Sequence, residues 1–400
     1  MQAIKVLSLS TVFPNPAEES LGTFVRHRLQ HVAKLHSVEV VAPIAVIDYA
    51  GRRFRKPGIP ACRQDGPLRI HHPPWVYLPW GGYTSAFCLA ARLMPFLQEL
   101  RREYPFDVID SHFAYPEGIA AALLGAAFKR PFTITLRGNE TMHAETRGKR
   151  RWIRWALRRA ARIITVSESL RRFAISHGVQ ENRVRTIPNG VDSDVFYPRP
   201  NIETRARLGI PQDRPAIVSA GFLIERKGHH RVIRALSEIR RRGGDAELWI
   251  IGGPGREGQF EKQLHREVRE HALEPFVHFT GNVKSAVLAD YMSAADVVCL
   301  ASSREGWPNV VHEAQACGAP VVATDVGGVQ DMIPAAEYGF VVPAGDEDAL
   351  AAALCKAIET RWDRAGITAW GRARSWQQVG VETAEVLSQA AAETKGRLKP

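Results

Sequence analysis

Apolar residues in this chain of 400 residues gather into short, nearly continuous runs, separated by stretches in which they recur every three or four positions. In the first half the runs are IKVLSLS, SVEVVAPIA, FDVIDSHF, FTITLRG, RIITVSES and VRTIPNGV; in the second they are PAIVSAGFL, AELWIIGGP, VHFTG, ADVVCLAS, PVVATDVGG and GFVVPAG. Short apolar runs rich in β-branched residues and bounded by turn formers predict strands buried on both faces, and the amphipathic stretches between them predict helices. Such alternation predicts α/β architecture, with parallel sheets covered by helices on both sides. AFCLAARLMPFLQEL is expected to be a helix with a break at Pro95.

The alternation is interrupted by DVFYPRPNIETRARLGIPQDRPAI, rich in Pro and charge, which places a linker at Val195 to Pro200. The expected organisation is two doubly wound, Rossmann-like domains at 1–198 and 199–370, with a helical tail at 371–400 crossing back to the first. Ligands of such sheets bind at the carboxyl ends of the strands, so the site is expected in a cleft between the domains. An apolar fraction of 45% suffices for two cores. The five cysteines are scattered without CxxC spacing, which argues for a reducing compartment and against a zinc site. MQAIKVLSLS enters a strand with no signal-peptide pattern, and no run approaches a membrane span.

Candidate chemistry concentrates in SSREGWPNVVHEAQACGAPVVATDVGG, from Ser302 to Gly328. The pattern predicts strand, loop, helix, strand, with Pro308 at the first helical position and Gly318 just past the end. Glu305 then lies in the loop and Glu313 about a turn and a half into the helix. Free N–H groups near Asn309, Val310 and Val311 make the space between them attractive to an anion. A phosphate there, with a carboxylate on each side, suits a ligand with phosphate in the middle and hydroxyls at both ends. A nucleoside diphosphate sugar has that layout. Taken singly, either glutamate reads as a solvated residue; the whole string does not.

EGWPNVVHEAQACGAPVVATDVGG resembles the signature of family-4, GT-B-fold retaining glycosyltransferases. AGFLIERKGHHRVIRAL, IIGGPG, VHFTGNV and GFVVPAGD follow in that family's order, and ITVSESLRRFAISHGVQENRVRTIPNGVDSDVFYP resembles its stretch before the linker. FPNPAEESLGTFVRHRL and SHFAYPEGIAAALLG resemble a subgroup of teichuronic-acid and exopolysaccharide glycosyltransferases. The resemblance implies that Glu313 holds the donor ribose and that Glu305 contacts the transferred sugar. Gly306, Trp307, Pro308, Asn309 and Val310 would supply backbone to the sugar and diphosphate. Lys227 would neutralise the diphosphate, and Gly22 would let the other domain's backbone approach it. This fold needs no metal, so cations and a helix N-terminus must stabilise the leaving group; no cofactor is expected beyond the nucleotide-sugar substrate.

Two positions depart from the family pattern. Phe222 stands where many members have Arg, leaving Arg226 to supply the second charge. Arg137 stands where many have a catalytic-site His, and a guanidinium can orient a sugar or stabilise charge but cannot act as a base. His112, after VIDS, has two readings of equal weight: a catalytic group near the cleft or a hydrogen-bonded structural histidine. Loss of the family His also leaves open a protein that binds nucleotide sugar or a partner without turnover. Gly253 to Gly258 formally matches the dinucleotide fingerprint. It lacks an acidic residue at a following strand end, so a tight turn beside the donor site is preferred to an NAD-dependent oxidoreductase.

Charge is uneven: residues 1–195 hold 28 Lys and Arg against 16 Asp and Glu, and the remainder 25 against 26. Much of the excess lies in TRGKRRWIRWALRRAARI. A helical wheel puts Arg151, Arg154, Arg158 and Arg162 on one face and Trp152, Ala156, Ala160 and Ile163 on the other, with Trp155 at the edge. The apolar stripe reads as core, and the arginines as a surface for anionic lipid or a lipid diphosphate acceptor; no nucleic-acid motif is present. The sequence therefore leads to a cytoplasmic, peripherally membrane-associated GT-B glycosyltransferase that transfers sugar with retention to a growing, lipid-linked surface glycan.

Overall fold

The computed structural model describes residues 2–45, 58–77, 83–255 and 260–397, with side chains described to residue 393. The chain forms two compact units, Met1–Gly190 with Trp376–Pro400, and Val191–Ser375. The chain passes from one to the other at Gly190 and Val191, ahead of the Val195–Pro200 segment, and returns at Trp376.

The first unit is built on β1 (Lys5–Leu9), β2 (Ser37–Val41), β3 (Ile44–Ala45), β4 (Cys62–Asp65), β5 (Leu68–His71), β6 (Pro74–Trp75), β7 (Val108–His112), β8 (Phe132–Leu136), β9 (Arg162–Thr165) and β10 (Val184–Thr186). Eight form one sheet in the order β10-β9-β8-β7-β1-β2-β5-β4, and β3 pairs with β6. All neighbours in the large sheet are parallel except β4 and β5. That antiparallel edge corrects the all-parallel expectation. CRQD is too polar to register as an apolar run, but the Asp65-Gly66 turn beside it, with Gly66 at φ 57°, is a hairpin signal. Arg26 grips Asp65 at 2.7 Å and pins this edge.

Two helices correct the sequence reading. Ser85–Glu103 runs unbroken through Pro95. Pro95 and Ala91 are both exposed, so the carbonyl that Pro95 cannot serve faces water. The basic helix spans Arg147–Leu157 and buries Ile153, Ala156 and Leu157, while Trp152 and Trp155 are half-buried. Arg162 is not on it: it opens β9 and pairs with Glu393 of the C-terminal helix, Trp376–Arg397. That helix packs on Thr23–Val32, with His36 Nε2 at 3.1 Å from the Ala384 carbonyl and the rings of His27 and Trp376 at 5.5 Å.

The second unit holds β11 (Ala216–Ala220), β12 (Glu247–Ile251), β13 (Val277–Gly281), β14 (Val297–Leu300), β15 (Val321–Thr324) and β16 (Gly339–Val342), all parallel, in the order β13-β12-β11-β14-β15-β16. Successive strand residues feed opposite cores: Val298 and Leu300 pack on one side of the sheet, Val297 and Cys299 on the other. Hence the apolar runs are continuous instead of alternating. In each unit the strand order reverses at one point, between β1 and β7 and between β11 and β14. The loops leaving these strands diverge there, which opens a crevice at the carboxyl ends.

The helix Asn309–Ala316, which leaves the second crevice, is braced by Arg364–Arg372 through Gly371. A Cβ on Gly371 would lie 2.3 Å from the Ala316 amide nitrogen. Gly371→Ala is therefore expected to force these helices apart and to lower the stability of the second unit by roughly 1–3 kcal/mol. Urea unfolding of the variant beside the parent measures this, and coincident transitions would contradict the packing argument.

Candidate active site

In the second unit, the residues after β11 and β14 meet. Gly228, at φ 73°, turns the chain from Glu225–Lys227 into the helix His229–Arg241, and any Cβ there would strike the Ala301 carbonyl oxygen at 1.9 Å. This close approach brings Lys227 Nζ to 2.6 Å from Glu305 Oε1, which also accepts from Ser302 Oγ at 2.8 Å. Arg226 Nη1 lies 3.8 Å from Glu305 Oε2 and donates to the Arg304 carbonyl at 3.1 Å. Thus Arg226 does turn toward the loop, whereas Phe222 is an exposed aromatic. Ser302 is held by Thr324 Oγ1, which donates to its carbonyl at 2.6 Å. Sequence reasoning passed over Ser302 because a serine at a strand end has no pattern of its own. Two cations share one carboxylate here, so a surplus positive charge stands beside a helix N-terminus.

Pro308 is the residue before that helix, with φ −76° and ψ 94°, and not its first helical residue. Its carbonyl accepts the Val311 N–H at 3.0 Å, so that amide is not available to an anion. Trp307 Nε1 is buried without a hydrogen-bond partner, and its ring meets His312 edge-on at 6.1 Å. Burial, with a smaller push from Arg374, pulls His312 down to about 4, so it is neutral at pH 7. Glu313 is half-buried, and its carboxylate has no hydrogen-bond partner among the described residues. Withdrawal from water pushes its pKa up to about 7, although the Lys227 ammonium pulls the other way. A carboxyl held this way takes a diol's two hydrogen bonds when ionised. His229, not anticipated from the sequence, sits beneath the same crevice: Ser219 Oγ is 2.8 Å from its Nδ1, and its buried Nε2 lacks a partner.

Gly253 and Gly255 of the glycine-rich turn pack against Asn282 and Phe222. The rest of that motif, 256–258, lies outside the described residues.

The first unit gathers a second set around its own strand reversal. Gly22, at φ 68°, starts the helix Thr23–Val32, and a Cβ on it would meet the Val12 carbonyl oxygen at 2.3 Å. His112 ends β7 and is wholly buried. Its Nε2 lies 3.2 Å from Asp110 Oδ2 and 3.1 Å from Ser8 Oγ, while its Nδ1 is 3.1 Å from Arg137 Nη2. A guanidinium only donates, so Nδ1 accepts and the proton is assigned to Nε2. Burial drives the His112 pKa down to about 4, against the pull of Asp110. Burial also raises Asp110, but His112, Thr133 and Arg28 together hold it below the usual carboxylate range.

Arg137 follows β8. Its Nη1 donates to Asn189 Oδ1 at 3.3 Å, and its Cζ stands 4.8 Å from the centre of the Phe24 ring. Glu140 accepts the main-chain N–H groups of Arg137, Gly138 and Ala114, which fixes the turn after the strand. Arg28, Asp110 and Asn189 were not foreseen, since a buried arginine on an amphipathic helix looks like a solvated one in sequence. The structure thus joins His112 to Arg137, and Glu305 to Lys227 and Arg226, as two clusters at two strand reversals.

Comparison with known proteins bears on both. Residues 21–195 match the model of Glycosyltransferase Family 4, and residues 200–373 that of Glycosyl transferases group 1. TuaC of Bacillus subtilis, a glycosyltransferase attributed to teichuronic acid biosynthesis, is 26% identical over 90% of this chain and 89% of its own. A GDP-mannose-dependent α-(1-6)-phosphatidylinositol monomannoside mannosyltransferase of Mycolicibacterium smegmatis is 34% identical over 54% of this chain and 59% of its own. Among solved structures, Anabaena HepE in complex with UDP superposes with a TM-score of 0.74 at 21% identity, covering 97% of this chain and all of that one. That likeness establishes the GT-B fold.

Proposed function

The chain belongs to the family-4 glycosyltransferases of GT-B fold, and from that premise we propose that it transfers a sugar, with retention of configuration, from a nucleoside diphosphate sugar. The observation that carries this reading is the unpartnered Glu313 carboxylate beside the Lys227–Glu305 pair. Glu313 holds the ribose. Lys227, Arg226 and the amides at the start of Asn309–Ala316 receive the diphosphate as its charge develops. Glu305, fixed by Lys227 and Ser302, faces the transferred sugar. HepE is known with UDP-glucose, which supports a nucleotide-sugar donor. No metal is assigned to the site.

We further propose that the acceptor is a lipid-linked surface glycan and that the protein works on the inner face of a membrane. The acceptor of the mycobacterial relative, a phosphatidylinositol monomannoside, supports a lipid anchor. Among the described residues no helix is long and apolar enough to cross a membrane. Contact would be peripheral, through Arg151, Arg154 and Arg158. All three are exposed, and their side chains have no carboxylate within ion-pair distance among the described residues.

The test of the reaction is release of nucleoside diphosphate from a panel of nucleotide sugars; no binding and no turnover with any donor would overturn it. Binding without turnover would point to a protein that only holds the sugar. Within that assay, Glu313→Ala is expected to weaken free nucleotide and donor alike by about tenfold to a hundredfold. Glu305→Ala releases Lys227, so nucleotide affinity is expected to hold while turnover falls. Equal loss of nucleotide affinity in both variants would contradict the division of roles.

The membrane proposal has its own measurement, co-sedimentation with anionic vesicles. Each basic residue near a surface contributes about 1 kcal/mol, so replacing Arg151, Arg154 and Arg158 with Gln is expected to cut binding sharply, as is added salt. Unchanged sedimentation would make these arginines a solvated face.

A further inference from the structure

A cavity of about 430 Å³ opens on the first unit, among the short helix Asn139–His143, the basic helix Arg147–Leu157 and the end of the helix Glu168–Ser176. That volume is in the range of small-molecule sites, roughly 300–1,000 Å³. Glu145, Arg150, Arg154 and Ser176 of its lining are exposed, so it is open to solvent.

The cations on its wall are held in different ways. Arg150 donates from Nε to the Ala144 carbonyl at 2.6 Å and from Nη2 to the Glu145 carbonyl at 3.3 Å. These bonds fix the guanidinium and leave its Nη1 hydrogens for a ligand. Arg154, one turn on, makes no side-chain hydrogen bond or ion pair among the described residues. Its Nη2 and the Nε of Arg158 each lie 3.8 Å from where a Cβ on Gly178 would stand, so a further cation backs this wall. Like charges four residues apart on a helix repel. Glu145 is the one acidic residue on the lining, so positive charge is in surplus and an anion relieves it.

The neutral polar groups narrow the ligand. Thr141 Oγ1 donates to the Gly138 carbonyl at 2.9 Å, and Ser176 Oγ donates to the Phe173 carbonyl at 2.8 Å. With their protons spent, both hydroxyls can only accept. His177 Nδ1 lies 2.8 Å from the same Phe173 carbonyl, so it carries a proton, and its ring rests on Phe173 with centroids 4.1 Å apart. Guanidinium groups suit phosphate oxygens, and hydroxyls that only accept suit a ligand that brings hydroxyl donors.

We infer that this cavity is a binding site for the phosphate ester of a polyol, with Arg150 and Arg154 on the phosphate and Thr141 and Ser176 on the hydroxyls. The ester arrives either as the headgroup of a membrane lipid or free in solution. The lipid-borne form rests on the membrane contact proposed above and goes further. Diffuse attraction to Arg151, Arg154 and Arg158 reads charge alone, whereas this cavity reads the headgroup.

Two arms separate the sources, both on the intact protein. In the first, co-sedimentation compares phosphatidylcholine vesicles carrying phosphatidylglycerol with vesicles carrying phosphatidylserine at the same mole fraction. These lipids have equal net charge, but only the glycerol headgroup offers a diol. In the second, calorimetry without vesicles compares glycerol 1-phosphate and inositol 1-phosphate with inorganic phosphate. A preference of about tenfold for phosphatidylglycerol, or for a soluble ester over inorganic phosphate, is expected, and the arm that shows it identifies the source. Thr141→Val combined with Ser176→Ala keeps every charge, so it should erase the preference and leave attraction to phosphatidylserine vesicles intact. Arg150→Gln should weaken the ester itself. Equal binding of the two vesicle types, with soluble esters no tighter than inorganic phosphate, overturns the cavity while a diffuse membrane contact stands. A preference that survives the Thr141 and Ser176 double variant overturns it as well, since the ligand then sits elsewhere. Sedimentation with neither vesicle would sink the membrane contact, and the solution arm alone would then decide the cavity.

Discussion

Charge withdrawn from water at the end of a strand is stable only if geometry supplies a partner, because desolvation costs several kcal/mol per ion. Both units are arranged around that constraint. In the second, close backbone approach at Gly228 sets Lys227 and Glu305 in contact, with side-chain exposures of 16% and 9%. In the first, Asp110 draws on His112 and Thr133, and Arg137 on His112, Asn189 and Phe24. These groups stand at the strand reversals, where the loops leaving neighbouring strands part.

The two clusters solve the constraint differently. Lys227 and Glu305 are paired in the protein itself; in the proposed reaction a diphosphate would compete with Glu305 for the ammonium and free that carboxylate toward the sugar. Glu313, in contrast, waits without a partner and is kept close to its neutral form by burial. Arg137 waits in the opposite sense, as a cation among neutral acceptors. In the second unit, a ligand that satisfies both Glu313 and Lys227 has a diol and an anion beside it, which is the layout of a nucleoside diphosphate.

Much of this was legible in the sequence. Continuous apolar runs such as ADVVCLAS give parallel strands because both faces are covered, and Pro308 and Gly318 bracket their helix to within a residue. What was hidden is tertiary in origin. CRQD forms a strand because Leu68–His71 and the Arg26–Asp65 pair hold it, not through its own composition. Pro95 sits inside a helix because its unserved carbonyl faces solvent. The Arg151 helix ends at Leu157, so a wheel drawn onward to Arg162 mixes helix with strand. In the candidate site, Glu305, Lys227 and Glu313 carried recognisable spacing, whereas Arg28, Asp110, Asn189 and His229 take their meaning from neighbours a hundred residues away or from burial, which residue type does not disclose.

In the proposed reaction Glu313 is the group that receives the ribose, and its raised pKa makes that directly measurable. Hydrogen bonds from a diol favour the ionised carboxylate and so lower its pKa. With the free pKa at about 7, nucleotide binding at pH 6 must expel a proton from Glu313, and affinity must fall as pH drops below 7. Calorimetry of nucleoside diphosphate binding at pH 6 in buffers of different ionisation enthalpy reads the proton count. Release approaching one proton, shrinking to none by pH 8.5 and absent in Glu313→Gln, is the predicted result; the same release in Glu313→Gln, or none in the parent, would contradict it.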